Sequence, residues 1–263
     1  MRLEVVSRHP DAPVSQTPLL FVHGAWHGAW CWSEHFIDTF VARGYSVYAL
    51  SLRGHGTSEG RERLRWWRIA DYVADIRQVV AQLPQPPVLI GHSMGGFVVQ
   101  KYLESEPARA AVLLASVAPH GILKAYLRFA LHHPLPALKV VLRLSPYQVV
   151  GTPALAREML FSSRLPADTT DAYYQRIQEE SFLAFVDMMA LDLPRPKRVT
   201  TPVLVLGGTA DKTIEVPDVE ATARAYRTQA RLLPDVAHDA MLDPDWQAVA
   251  DSIIEWLSGQ LTA

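Results

Sequence analysis

Val88-Leu89-Ile90-Gly91-His92-Ser93-Met94-Gly95-Gly96-Phe97-Val98-Val99 reads as a strand, a sharp turn and a helix in twelve consecutive residues. Val88-Leu89-Ile90 is the short apolar run of a strand covered on both faces, and the run from Phe97 suits a helix. Between them stands Gly-x-Ser-x-Gly. Glycines two before and two after the serine let neighbouring backbone pass close by, while the turn holds Ser93 strained and lifted above a sheet. A helix starting at Met94 aims its first N–H groups and the positive end of its dipole at the same point, where an oxyanion is stabilised. That context points to Ser93 as a nucleophile; the plainer reading is a serine that caps the helix.

Similar runs lie on either side: Leu19-Leu20-Phe21-Val22, Ser46-Val47-Tyr48-Ala49-Leu50, Ala111-Val112-Leu113-Leu114 and Val203-Leu204-Val205-Leu206. Between them are helical spacings such as Ile69, Tyr72, Val73, Ile76, Val79, Val80 and Leu83. Strands that alternate with helices imply a mostly parallel sheet with helices on both faces, an α/β fold. The rhythm stops between about Ile122 and Val199, where Leu, Phe, Met and Tyr recur at helical steps among prolines. The expected organisation is therefore a core from residues 1–121 and 200–263, with residues 122–199 inserted as a helical cap.

Composition narrows the function. The 263 residues are 49% hydrophobic and 20% charged, with net charge -2, which leaves no basic field for nucleic acid. A lone cysteine, Cys31, rules out an intrachain disulfide and argues against a thiolate cage. Charges at Arg2, Glu4 and Arg8 interrupt any secretory signal. No apolar run approaches the ~18 residues of a spanning helix, so a cytoplasmic chain without an integral membrane segment is expected.

A serine nucleophile needs a base, and histidine titrates near working pH. In this architecture the acid and then the histidine follow the serine on loops after later strands. Asp211, closing the run from Val203, and His238, just past the probable strand at 230–234, meet that demand. Their plainer readings are a cap for a helix near Val216 and a local pair with Asp235 or Asp239. Ser116-Val117-Ala118-Pro119-His120 holds no carboxylate, which favours Asp211 as the acid. His92 is expected to point away from the serine as a packing or hydrogen-bonding residue. Met94 N–H is one candidate oxyanion donor, and Ala25 N–H, after His23-Gly24, is the other. Of Trp26, Trp30 and Trp32, at least one is expected in a pocket wall and one in the core.

His23-Gly24, Leu52-Arg53-Gly54-His55-Gly56-Thr57-Ser58, Gly91-His92-Ser93-Met94-Gly95-Gly96, Asp211 and His238 together resemble the serine hydrolases of the α/β-hydrolase fold, over nearly the whole chain. The pattern is similar to carboxylesterases and monoacylglycerol-lipase-like enzymes. That resemblance implies a core sheet, a helical cap, a Ser93-Asp211-His238 triad and no cofactor. One position departs from it: many relatives carry an acid where this chain has Ser51. Dehalogenases and epoxide hydrolases of the fold resemble it too, but use aspartate where Ser93 stands.

Metal and nucleotide chemistry find no motif. There is no His-Glu-x-x-His, His132 and His133 read as a polar patch on a cap helix, and Gly207-Gly208-Thr209-Ala210-Asp211-Lys212-Thr213 lacks the second glycine of a phosphate loop. Trp26, Phe129, Phe182, Phe185 and Met189 are the expected pocket walls. Such a lining suits short- to medium-chain or aryl acyl groups on a small-molecule ester. Residues 122–150 carry Lys124, Arg128, Lys139 and Arg143 with no acid. They form either a solvated outer face or an amphipathic entrance for acyl chains or an anionic interface. The expected activity is carboxylic ester hydrolysis through an acyl-enzyme. The alternatives are the same triad on a lactone, thioester, amide or carbon–carbon bond, or a receptor that uses the pocket for recognition.

Overall fold

The computed structural model describes residues 1–261. Its seven strands are β1 (Glu4–Arg8), β2 (Leu19–Val22), β3 (Val47–Ser51), β4 (Val88–His92), β5 (Ala110–Leu114), β6 (Val203–Gly208) and β7 (Ala230–Leu233). They form one sheet in the order β1-β3-β2-β4-β5-β6-β7. Only β1 runs antiparallel, pairing Glu4 with Ser51 and Arg8 with Val47. The helices are α1 (Trp30–Ser33), α2 (Phe36–Ala42), α3 (Ile69–Val80), α4 (Met94–Tyr102), α5 (Leu123–His132), α6 (Pro134–Arg143), α7 (Pro153–Met159), α8 (Ala167–Tyr174), α9 (Phe182–Val186), α10 (Val216–Ala225) and α11 (Trp246–Leu261). This is the α/β-hydrolase architecture.

Every residue of β2, β4 and β5 is buried. Since successive strand side chains point to opposite faces, both faces of the sheet's centre are covered. Helix α3 shows how the covering forms: Ile69, Tyr72, Val73, Ile76 and Val79 are buried at steps of three and four, and the Asp71 carboxylate accepts the Arg68 N–H at the start of the helix. Cys31 and Trp32 lie in the core. Among the described residues, no helix is long and apolar enough to cross a membrane.

β1 was not legible in the sequence, because charged residues break its apolar pattern and an edge strand buries little of either face. It also answers the departure at Ser51. Glu4, opposite Ser51, accepts hydrogen bonds from the Ser51 hydroxyl and, at 3.1 Å, from the Thr57 N–H. The turn therefore keeps an anion, supplied by the neighbouring strand.

Between β5 and β6 the described residues form α5 to α9, with short 3-10 turns, a π turn at Asp187–Leu191 and no strand. The prolines act as helix starts, Pro134 opening α6 and Pro153 opening α7. Pro134 also corrects the reading of His132 and His133 as neighbours on one helix. A residue before proline is driven out of the helical region, and His133 (φ −131°, ψ 63°) is the joint between α5 and α6.

The turn between β4 and α4 is packed against the end of β2. A Cβ on Gly95 would overlap the carbonyl oxygens of Val22 and His23. Gly95→Val is accordingly expected to cost about 1–3 kcal/mol or more, through forced backbone movement. Equilibrium urea denaturation checks this, and unchanged stability would contradict the packing described.

Candidate active site

Ser93 stands between β4 and α4 with φ 51° and ψ −118°, a conformation that L-residues avoid. Its N–H donates to the Leu114 carbonyl, and its carbonyl accepts from the Phe97 and Val117 N–H groups, so three neighbours fix the turn. The hydroxyl makes no capping bond to α4. It lies 2.9 Å from Nε2 of His238.

His238, in the loop after β7, directs Nδ1 to the Asp211 carboxylate at 2.8 Å. Asp211, in the loop after β6, accepts the Thr213 and Ile214 N–H groups on its other oxygen at 2.7 and 2.8 Å. The carboxylate is thus held locally and still reaches the ring, and it does not cap α10, whose N-cap is Glu215. Ser93, His238 and Asp211 come from three loops at one edge of the sheet, and all three are buried. Burial opposes protonation of the His238 ring, but the charge and hydrogen bond of Asp211, helped by Asp239, outweigh it and lift its pKa above the ordinary value.

Gly24 follows β2 and passes directly beside the serine; a Cβ there would stand 3.0 Å from Cβ of Ser93 and 2.7 Å from Nδ1 of His92. That approach brings Ala25 to the cavity wall beside Ser93 and Met94. Neither the Ala25 nor the Met94 N–H meets a hydrogen-bond acceptor among the described residues. The peptide joining Gly24 to Ala25 is oriented from its other end, since Nδ1 of His23 donates to the Gly24 carbonyl at 2.7 Å. Nε2 of His23 accepts the Leu52 N–H at 3.0 Å, which fixes the neutral tautomer. Burial and the nearby His55 charge hold the His23 pKa well below the usual value.

The next peptide is gripped at both ends. His27 donates from Nδ1 to the Ala25 carbonyl at 2.7 Å, and the Trp26 N–H lies 3.4 Å from Oε2 of Glu180. Trp26 is held at φ 68°. Nε2 of His27 lies 3.0 Å from the Asp239 carboxylate, an ion-pair contact without hydrogen-bond alignment, so the carboxylate favours a positive charge on the ring. Burial works against that charge, but Asp239 overcomes it and raises the His27 pKa; the Asp239 carboxyl is held low despite its own burial by His27 and the other nearby rings. Glu180 accepts from Nε2 of His55 (3.0 Å), the Tyr72 hydroxyl (2.8 Å) and the Ser181 N–H (2.6 Å). These partners outweigh its burial and hold its pKa down.

His92 points away from the serine and donates from Nε2 to the His238 carbonyl at 2.9 Å. Burial, then the His238 charge, lower its pKa to about 3, so it stays neutral. His92, His238 and Asp239 bring potential ligand atoms within 4.8 Å of one another. Both ring nitrogens of His238 already face Ser93 and Asp211, and His92 is committed to the His238 carbonyl, while the Asp239 carboxylate meets His27 at ion-pair distance.

Ser93 opens onto a cavity of about 330 Å³. Trp26, Phe129 and Phe185 line it, as the sequence suggested; Phe182 and Met189 do not, and Met188 does. The correction has a physical cause. Helix α9 turns Phe185 inward, and the wider π turn that follows presents Met188 rather than Met189. The pairing of His27 with Asp239 and of His55 with Glu180 is invisible in the sequence because only the fold brings these residues together; the sequence offers Asp239 as a local partner of His238 and His55 as part of the Arg53-Gly54-His55-Gly56 turn.

Residues 19–251 match the alpha/beta hydrolase family. The chain is 24% identical over 242 residues to a monoacylglycerol lipase of Mycolicibacterium smegmatis, covering 87% of this chain and 83% of that one. It is 33% identical over 115 residues to norfluorocurarine synthase 1 of Strychnos nux-vomica, 41% of each chain. An esterase from Exiguobacterium antarcticum superposes with a TM-score of 0.74 at 17% identity over 97% of this chain and 95% of that one, a likeness of fold.

His27→Gln leaves Asp239 buried without its cation, which is expected to cost about 3–5 kcal/mol. The His27 contribution is fully present below 6.5, its ordinary value, and fades as pH rises through its raised folded value; that of Asp239 fades as pH falls through its lowered one. The stability gap between wild type and variant should therefore be widest at mildly acidic pH and narrow toward alkaline pH. Denaturant titrations across that range check it, and a gap independent of pH would contradict the ion pair.

Proposed function

The chain belongs to the alpha/beta hydrolase family, and we propose that it hydrolyses carboxylic esters with Ser93 as nucleophile, His238 as general base and acid, and Asp211 as the group that orients the ring. One observation carries this reading: the continuous chain of hydrogen bonds from the Ser93 hydroxyl through His238 to Asp211, at the wall of a cavity sized for a small ligand.

In the first half-reaction the Ser93 oxygen attacks the ester carbonyl carbon as its proton passes to Nε2 of His238. The carbonyl π pair moves onto oxygen, where the Ala25 and Met94 N–H groups receive it. Asp211 stabilises the imidazolium without taking the proton. The tetrahedral adduct re-forms its carbonyl and breaks the bond to the alcohol oxygen, which takes the proton from His238 and leaves. Water then repeats the sequence on the acyl-enzyme, releasing the acid and restoring Ser93.

The cap reading of residues 122–199 belongs to this proposal. Its support is that Ile122, Phe129, Val149, Phe185 and Met188 from that segment line the same cavity as Ser93. Together with Val117 and Ile214 they favour apolar short- to medium-chain or aryl acyl groups over sugars. The lipase name of the relative from Mycolicibacterium smegmatis agrees with a small-molecule ester as substrate.

Ser93→Ala is expected to lose on the order of 10⁴–10⁶ in kcat on p-nitrophenyl esters, and a fluorophosphonate should label wild type at Ser93 alone. Full turnover in the variant would end the proposal. The base must be unprotonated, so kcat/KM should fall on the acid side with a midpoint above 6.5, and Asp211→Asn should move that midpoint down. A panel of esters graded by acyl length and leaving group then reads the specificity.

A further inference from the structure

Helices α5 and α6 bury very little of themselves. Phe129 is the buried side chain of α5, and Ala137 and Val140 are those of α6. Their outward faces are apolar. On α5, Leu123, Leu127 and Leu131 are exposed at steps of four, Leu131 to 83%. On α6, Leu135, Leu138 and Leu142 follow at steps of three and four, Leu142 to 73%, with Val141 beside them. These seven are more than half of the thirteen large exposed apolar side chains among the described residues, gathered on two adjoining helices of ten residues each. A patch of this kind marks an interaction surface.

We propose that this outer face of α5 and α6 docks the protein on an anionic phospholipid surface. Charge selects that occupant. Lys124, Lys139 and Arg143 are exposed among the leucines and make no ion pair among the described residues. No acid occurs in residues 122–150. Arg128 is engaged by Glu215 at 2.9 Å and His133 by Glu158 at 3.4 Å, so the nearest carboxylates already have partners. A second copy meeting this face would set like charges against each other, whereas anionic headgroups neutralise them while acyl chains receive the leucines. Each helix, about 15 Å long, is far too short to span a bilayer and suits lying in its interface.

The placement also fits the ester hydrolase reading, on which this one step rests. Ala125, Tyr126 and Phe129 on the inner side of α5 line the Ser93 cavity, and the exposed His132 lines it too, so the cavity's rim reaches the surface beside the patch. An apolar ester partitioned into the lipid would lie next to that rim.

The test is flotation of the full-length protein with vesicles of phosphatidylcholine containing phosphatidylglycerol, and with phosphatidylcholine alone. Wild type should float with the anionic vesicles and far less with the neutral ones. K124Q/K139Q/R143Q should lose roughly ten-fold or more of that anionic binding, at about five-fold per removed cation before non-additivity. L127E/L131E/L138E/L142E should abolish it. Hydrolysis of water-soluble p-nitrophenyl acetate by both variants should equal wild type, which verifies their folding and reads the ester hydrolase proposal separately. Vesicle binding without any hydrolysis would leave the surface standing and remove the reaction. Absence of wild-type binding to anionic vesicles overturns the proposal, as does binding insensitive to both variants. So does a dimer in light scattering that the leucine variant dissociates, since a second copy would then own the face.

Discussion

The backbone at Ser93 must stay in a conformation it would not adopt alone, and much of the surrounding architecture is arranged to hold it. A φ of 51° at a residue with a Cβ costs on the order of 1–3 kcal/mol, and it persists only where neighbours over-determine it. Here the determination comes from the parallel sheet. The Ser93 N–H is taken by Leu114 at the end of β5, and its carbonyl is taken from two sides. Helix α4 can begin at once because Gly95 lets it pass against the end of β2. The strain is useful in one respect: a serine so placed cannot cap its helix, and its hydroxyl is directed to the His238 ring.

Around this turn the chain buries more charge than a simple hydrolytic site requires. Two pairs, the charged His27 with Asp239 and the hydrogen-bonded His55 with Glu180, lie in almost completely buried surroundings. Buried pairs of this kind contribute little net stability against apolar replacements, but they resist any displacement that separates them. Their location gives that resistance a purpose. One pair joins the loop after β2 to the loop bearing His238. The other joins the turn after β3 to the segment ahead of α9. Both reach the peptide between Ala25 and Trp26, His27 at its carbonyl and Glu180 at its amide. The loop that carries the proposed oxyanion donor is thus pinned from the loop after β7 and from the segment between β5 and β6 at once.

What the sequence could show followed from the range over which each signal acts. Strands buried on both faces, the glycine-flanked serine, and an acid and histidine after late strands are local patterns, and local patterns survive in a linear reading. The edge strand β1 was silent because an edge strand needs little apolar content. The pocket residue was misassigned from Met188 to Met189 because a π turn changes the helical phase by a fraction of a turn, which no spacing rule for a regular helix anticipates. Pro134 excludes His133 from the helical region by a rule that acts between neighbours, so the joint between α5 and α6 is legible in the sequence. The His27, Asp239, His55 and Glu180 network was out of reach for a different reason: its members are scattered in the chain, and nothing short of the sheet topology brings them together.

The α5–α6 hairpin shows how one helix can meet two incompatible demands. Its inner face closes a cavity beside a strained serine and must be fitted to it, which fixes Tyr126 and Phe129. Its outer face has no such partner among the described residues, yet it is built from leucines at regular steps, with cations between them that make no ion pair there. Solvation alone would favour polar residues there, because seven large exposed apolar side chains in one place bring an aggregation liability. The cations offset part of that liability by mutual repulsion, keeping copies apart in solution. The same charges turn from repulsive to attractive at an anionic surface, so one pattern of residues both opposes self-association and favours adsorption.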